Sequence, residues 1–176
     1  MTSKLHKILS LNKPLYDIIE QASRLGIGTD NYYIGAGCIV QTVWNYQLGL
    51  DLAYGIADVD FVYFSDTDLD IALTSDTFEV DIVNQAKVHL WYKDYFGYDI
   101  LPFKSVEDAI AKWPTTATSI GVRLVNNKLQ VYAPFGLEDL FSMTVRANKA
   151  IISEEVYLRK VEKWTSKWKG LNVVPW

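Results

Sequence analysis

Asp58-Val59-Asp60 is the stretch of this chain whose residue types and spacing point most directly at chemistry. It runs into Phe61-Val62-Tyr63-Phe64, a segment of strong β propensity. Side chains alternate along a strand, so Asp58 and Asp60 are expected on one face and Val59 on the other. Two carboxylates about 7 Å apart along a strand can share divalent cations, because Mg²⁺ takes a few carboxylates and completes its shell with phosphate oxygens and water. Upstream, Tyr33-Ile34-Gly35-Ala36-Gly37-Cys38 breaks an apolar run into small residues. A strand, a glycine turn and a helix in that order aim backbone N–H groups at an anion. Together the two halves suggest a metal–nucleotide site. The glycines alone would equally serve to let helix and strand pack closely.

A third carboxylate has two candidates. Thr77 to Val83 alternates, with Phe78, Val80 and Ile82 on one side and Glu79 and Asp81 on the other. If this strand lies beside the Asp58 strand, Asp81 or Glu79 can complete the set; an edge strand with one wet face explains the same pattern. The acidic turn from Ser65 to Asp70 lacks the glycine and the late glutamate of a calcium loop and reads as a solvated connection. His89, among apolar neighbours, is expected to be a hydrogen-bonded structural histidine. His6 is the only other histidine, which argues against a histidine zinc site.

Several elements must hold these groups. Asn12-Lys13-Pro14 starts a helix whose Leu15, Ile18, Ile19, Ala22 and Leu25 form an apolar stripe, closed by Gly26 and Gly28. The helix from Cys38 is expected to bury Ile39, Val40, Val43, Trp44 and Leu48, with a loop from Gln47 to Ala57 behind it. Asn84 to Tyr92 reads as amphipathic helix. Ser105 and Asp108 form a capping-box variant before a short helix that Pro114 ends. Asn126-Asn127 between two alternating runs predicts a tight hairpin, since asparagine tolerates positive φ. Arg123 on that hairpin is expected to face solvent. A short helix is expected from Pro134 to Phe141, and Val145 to Asn148 then carry groups able to hold a backbone or a nucleotide. The last helix starts at Ser153 with Glu154 and Glu155, and its Tyr157, Val161, Trp164 and Trp168 repeat at helical spacing as packing residues. Its Lys160, Lys163, Lys167 and Lys169 read as a solvated basic face.

At 176 residues the chain is expected to form one domain spanning 1–176, large enough for a core without staples. Aromatic residues make up 14%, more than a disordered chain carries. A net charge of −4 argues against wrapping long nucleic acid. The single cysteine, Cys38, excludes an internal disulfide and a cysteine-rich zinc site. No apolar run approaches the roughly 18 residues that would span a bilayer, and the N-terminus lacks a signal-peptide core. A soluble, cytoplasmic location with no membrane partner is the expectation.

The ordered motifs also carry a resemblance. Gly35-Ala36-Gly37-Cys38, Asp58-Val59-Asp60, the run from Asn84 to His89, Glu107 to Pro114 with Thr116-Ala117-Thr118, and Val131 to Leu137 occur together. From about Tyr32 to Trp176, this succession resembles a family of small bacterial nucleotidyltransferase-like proteins within the DNA-polymerase-β-type nucleotidyltransferase superfamily. The resemblance implies an α+β, polymerase-β-like nucleotidyltransferase fold, a mixed twisted sheet with helices packed on one face and the aspartates on the floor of a cleft. It implies catalytic and metal-holding roles for Asp58, Asp60 and Asp81, with Glu79 as the alternative third acid. It gives Gly35, Ala36, Gly37 and Cys38 a nucleotide-binding role, although Cys38 stands where many members have serine. The implied cofactor is Mg²⁺ or Mn²⁺, and the implied reaction moves a nucleoside monophosphate from a nucleoside triphosphate to an unidentified hydroxyl acceptor. A nucleotide- or partner-binding protein that keeps the fold without the chemistry is the alternative.

Overall fold

Two short helices open the chain, each a stripe of aliphatic residues at helical spacing. In the computed structural model, which describes residues 1–26 and 31–176, α1 (Thr2–Leu11) buries Leu5, Ile8 and Leu9, and α2 (Lys13–Ala22) buries Leu15, Ile18, Ile19 and Ala22. The sequence reading anticipated α2 but not α1. Pro14 lies in the first turn of α2, as expected, but Asn12 does not cap it. Its side-chain amide donates instead to Thr42 Oγ1 (2.9 Å) and to the Leu52 carbonyl (3.0 Å), tying the helix junction to the next layer. Gly26 adopts φ +68, whereas Gly28 lies outside the described residues.

Strand β1 (Tyr32–Gly35) leads through Ala36 into α3 (Gly37–Leu48), and β2 (Asp58–Tyr63) follows. β3 (Glu79–Asn84) ends in a single 3₁₀ turn over Gln85–Lys87, continued by α4 (Val88–Phe96). Then come α5 (Val106–Ile110), the hairpin of β4 (Gly121–Val125) and β5 (Lys128–Tyr132), and α6 (Glu138–Phe141). β6 (Thr144–Val145), α7 (Glu154–Lys167) and β7 (Asn172–Val173) complete the described chain. Asn126 and Asn127 both take positive φ, +50 and +59, the geometry a two-residue hairpin turn requires. Ser105 Oγ accepts from the Asp108 N–H at 3.1 Å and Ser153 Oγ from Val156 at 3.4 Å, so both expected N-caps form.

The five-stranded sheet has the order β3-β2-β1-β4-β5; β2 and β3 run parallel and the other neighbours antiparallel. This is a mixed α+β architecture. Because side chains alternate, Tyr32, Ile34, Val59, Phe61 and Tyr63 turn into the main core with α1, α2, α3 and α7. Trp44, Trp164 and Trp168 meet there edge to face, with ring centroids 5.7 Å apart for both pairs that involve Trp44. Trp168 Nε1 donates to Asn45 Oδ1 at 2.6 Å, which locks the end of α7 to α3. The opposite sheet face presents Tyr33 and Val62, covered by Val106 and Ile110 of α5. Asp58 and Asp60 have the parity of Val62 and lie on that second face. Among the described residues no helix is long and apolar enough to cross a membrane.

Candidate functional site

Strand register brings the acids together. β2 pairs with β3 so that Asp58 lies opposite Glu79 and Asp60 opposite Asp81, all four on the face of Val62 and Val83. On its other side Asp60 pairs with Gly35, the last residue of β1, so the acids sit beside the start of α3. Asp58 and Asp60 are half-buried, while Glu79 and Asp81 on the outer strand are exposed. Burial, followed by the charges of Asp58 and Asp81, raises the Asp60 carboxyl to about 7. Of the two β3 acids, Asp81 is the one paired directly across from Asp60, and its charge is among the causes of that rise. Among the described residues, no three His, Cys, Asp or Glu side chains stand close enough to share one metal ion.

The glycine turn divides its roles. A Cβ at Gly35 would lie 2.6 Å from the Trp113 ring and 2.9 Å from the Ile120 carbonyl, so this glycine is required for packing. A Cβ at Gly37 would meet only the end of the Gln41 side chain, at 3.0 Å. Ala36 stands between them at φ +59, ψ −130, a conformation that L residues rarely adopt. Its N–H donates to the Ile120 carbonyl at 3.1 Å, so it is not available to a phosphate. The amides of Gly37 and Cys38 make no backbone hydrogen bond to a described residue, and no described side chain caps α3. Of the Ala36, Gly37 and Cys38 amides, the last two are therefore the ones left without a backbone partner among the described residues. The Cys38 thiol itself is buried, pointing to the Gly35 carbonyl at 3.1 Å, and burial, then the Asp60 charge, raises its pKa.

Asp58, Asp60, Ala36 and Gly37 line one end of a cavity of about 340 Å³. Lys160, Lys163 and Trp164 of α7 form part of its wall. Lys160 is no solvated lysine. Burial lowers its pKa, followed by repulsion from Lys163, against the pull of Asp60 and Asp58, and its ammonium lies 5.7 Å from the Trp164 ring centre. The sequence reading missed it, although Lys160 lies three residues after Tyr157 and four before Trp164, within the buried stripe. Arg123 also departs from expectation. It is buried, its guanidinium stacks 4.4 Å from the Tyr33 ring centre, and its Nε donates to Gln130 Oε1 at 3.1 Å. Asn148 holds a backbone, donating to the carbonyls of Ala111 (2.8 Å) and Trp113 (2.9 Å). His89 Nδ1, expected to be hydrogen-bonded, is buried without a partner among the described residues.

A family model described as nucleotidyltransferase matches residues 21–173. The chain belongs to that nucleotidyltransferase family. An NMR structure described as a CCA-adding enzyme head domain shares this chain's fold, with a TM-score of 0.74 at 21% identity, over 97% of this chain and 96% of that one. The crystal structure of the Bacillus stearothermophilus CCA-adding enzyme in complex with CTP is similar at a TM-score of 0.50 and 16% identity. That alignment covers 93% of this chain and only 40% of the enzyme, so the likeness is to a part of it. Among curated proteins none matches.

Proposed function

We propose that this nucleotidyltransferase moves a nucleoside monophosphate from a nucleoside triphosphate to a hydroxyl acceptor, releasing pyrophosphate, with Mg²⁺ or Mn²⁺ as cofactor. The observation that carries the reading is the convergence of Asp58, Asp60 and Asp81 on one sheet face, beside the uncapped start of α3 and at the end of a cavity. The carboxylates fit a hard divalent ion as a partial set. They supply oxygen ligands, and burial, followed by the charges of Asp58 and Asp81, raises the Asp60 carboxyl, a cost that a bound cation would offset. Asp58 and Asp60 would hold the cation, and Asp81 would complete the shell or take the acceptor's proton. When bound, the ion would neutralise phosphate charge and lower the pKa of the acceptor hydroxyl.

The chain's own contribution is position and field. The Gly37 and Cys38 amides, at the positive end of a twelve-residue helix, would receive the outer phosphates. Lys160 and Lys163 face the same end of the cavity and would balance the charge of the leaving pyrophosphate. Partial enclosure of the site limits water and strengthens each of these interactions. The test is pyrophosphate release from each of the four nucleoside triphosphates with Mn²⁺ and a panel of hydroxyl acceptors. Asp58→Asn should lose at least about a hundredfold in rate while keeping its circular dichroism. Equal release by that variant overturns the assignment. One observation favours a second reading, a nucleotide-binding protein without turnover: no three ligating side chains stand within reach of one ion. Thermal stabilisation by a triphosphate without any pyrophosphate release would select it.

A further inference from the structure

Among the described residues, the side-chain amides of the buried asparagines, Asn12, Asn45, Asn84 and Asn148, all donate hydrogen bonds. The buried hydroxyls of Thr42, Thr115, Thr118, Ser119 and Thr144 are likewise engaged. Gln85 is 4% exposed, yet its side chain makes no hydrogen bond among the described residues. Its amide atoms are not sealed from solvent, so they open into the space beside the residue and are free to meet a ligand there. Gln85 lines the cavity that begins at Asp58 and Asp60.

Its placement is fixed by its neighbours. Asn84 Oδ1 accepts from the Ala86 and Ser65 N–H groups, both at 3.2 Å, pinning the 3₁₀ turn that Gln85 begins. Gln85 follows Asp81 and Val83 along the β3 line, on the order of 10 Å beyond the acids. The cavity wall beyond the acids is apolar and flat-sided, formed by Val83, Val88, Tyr92 and Phe103, while Trp113 lies over Gly35 nearer the acids. The same cavity is thus polar and charged at one end, with Lys160, Lys163, the Asp pair and Gln41 beside Gly37, and largely apolar at the other, where Gln85 supplies an amide. A nucleoside triphosphate has that profile, with anionic phosphates at one end and a flat ring with hydrogen-bonding edges at the other. A glutamine amide presents a donor and an acceptor side by side, the pairing that reads a base edge in two contacts. A polynucleotide strand would bring phosphates to this end as well, and its lining has no lysine or arginine to meet them.

We propose that Gln85 is the nucleobase-reading residue, holding the edge of the base of a nucleoside triphosphate between the aromatic walls of this cavity. The assignment rests on the nucleotidyltransferase reading above. The experiment is calorimetric binding in Mn²⁺ of the four nucleoside triphosphates, and of inorganic tripolyphosphate as a base-free probe, to wild type, Gln85→Ala and Gln85→Leu. Gln85→Leu keeps the buried volume, and its melting temperature reports folding. Wild type should prefer one base over the others by about tenfold or more; both variants should lose that preference while binding tripolyphosphate as wild type does. A base preference that survives in a folded Gln85→Leu overturns the assignment and leaves the parent reading intact. Failure of wild type to bind any triphosphate, tripolyphosphate included, overturns both.

Discussion

Replacing Asp60 with asparagine should stabilise the ligand-free protein, and the gain should depend on pH in a defined direction. The Asp60 carboxyl is raised from an ordinary 3.8 to about 7 by burial and then by Asp58 and Asp81. A group whose pKa is higher folded than unfolded gives stability that is complete below the unfolded value and is lost as pH rises through the folded one. For Asp60 the window therefore runs from about 4 to about 7. A rise of that size corresponds to roughly 4 kcal/mol of stability missing at pH 8 compared with a neutral side chain. For a chain of this length each kcal/mol moves the melting temperature by about 2–4 °C. In chelator, the melting temperature of Asp60→Asn minus that of wild type should therefore grow by around 10 °C between pH 4 and pH 8. Carboxylates remote from this cluster titrate alike in both proteins and cancel in the difference. Saturating Mn²⁺ at pH 8 should raise wild type and leave the variant where it was, because the cation relieves the repulsion that the asparagine has already removed. A difference that is flat with pH, or that shrinks as pH rises, refutes the electrostatic account of the site.

Two further outcomes test the scaffold. Ala36→Gly should raise the urea midpoint by the equivalent of about 1 kcal/mol, since glycine takes the φ +59, ψ −130 conformation without strain; Ala36→Val should lower it. Asn45→Ala removes the acceptor of Trp168 Nε1 and the donor to the carbonyls of Leu52 (3.1 Å) and Tyr54 (2.8 Å). The orphaned buried groups should cost about 2–4 kcal/mol in urea denaturation, and a loss below about 0.5 kcal/mol would mean that α7 is held by other contacts.

What could be read from the sequence divides along physical lines. Period and turn chemistry are local, so the Asp58 strand, the Asn126-Asn127 hairpin and the Ser105 and Ser153 caps were legible directly. Parity placed Glu79 and Asp81 on one face, but only the register of β3 against β2 sets Asp81 beside Asp60. The missed residues are those whose environment comes from distant segments. Arg123 reads as a surface residue until the Tyr33 ring of the neighbouring strand covers it. Lys160 looks like one of four solvated lysines until α7 crosses to the acids. Gln85 carries no signal at all, because a glutamine becomes notable only when the fold sets it in the wall of a cavity.

Trp164 belongs to two environments at once, the wall of the cavity and the edge-to-face aromatic cluster with Trp44. Trp91 and Trp113 also line the cavity, on other segments of the chain. Indole emission responds to the polarity and charge around the ring, and a polyanion arriving beside Lys160 changes both for Trp164. The molecule therefore contains its own optical probe. Occupancy of the site can be followed through intrinsic fluorescence, without a label and without knowing the acceptor, and substituting Trp164, Trp113 or Trp91 singly by phenylalanine would show which part of the cavity a given ligand reaches.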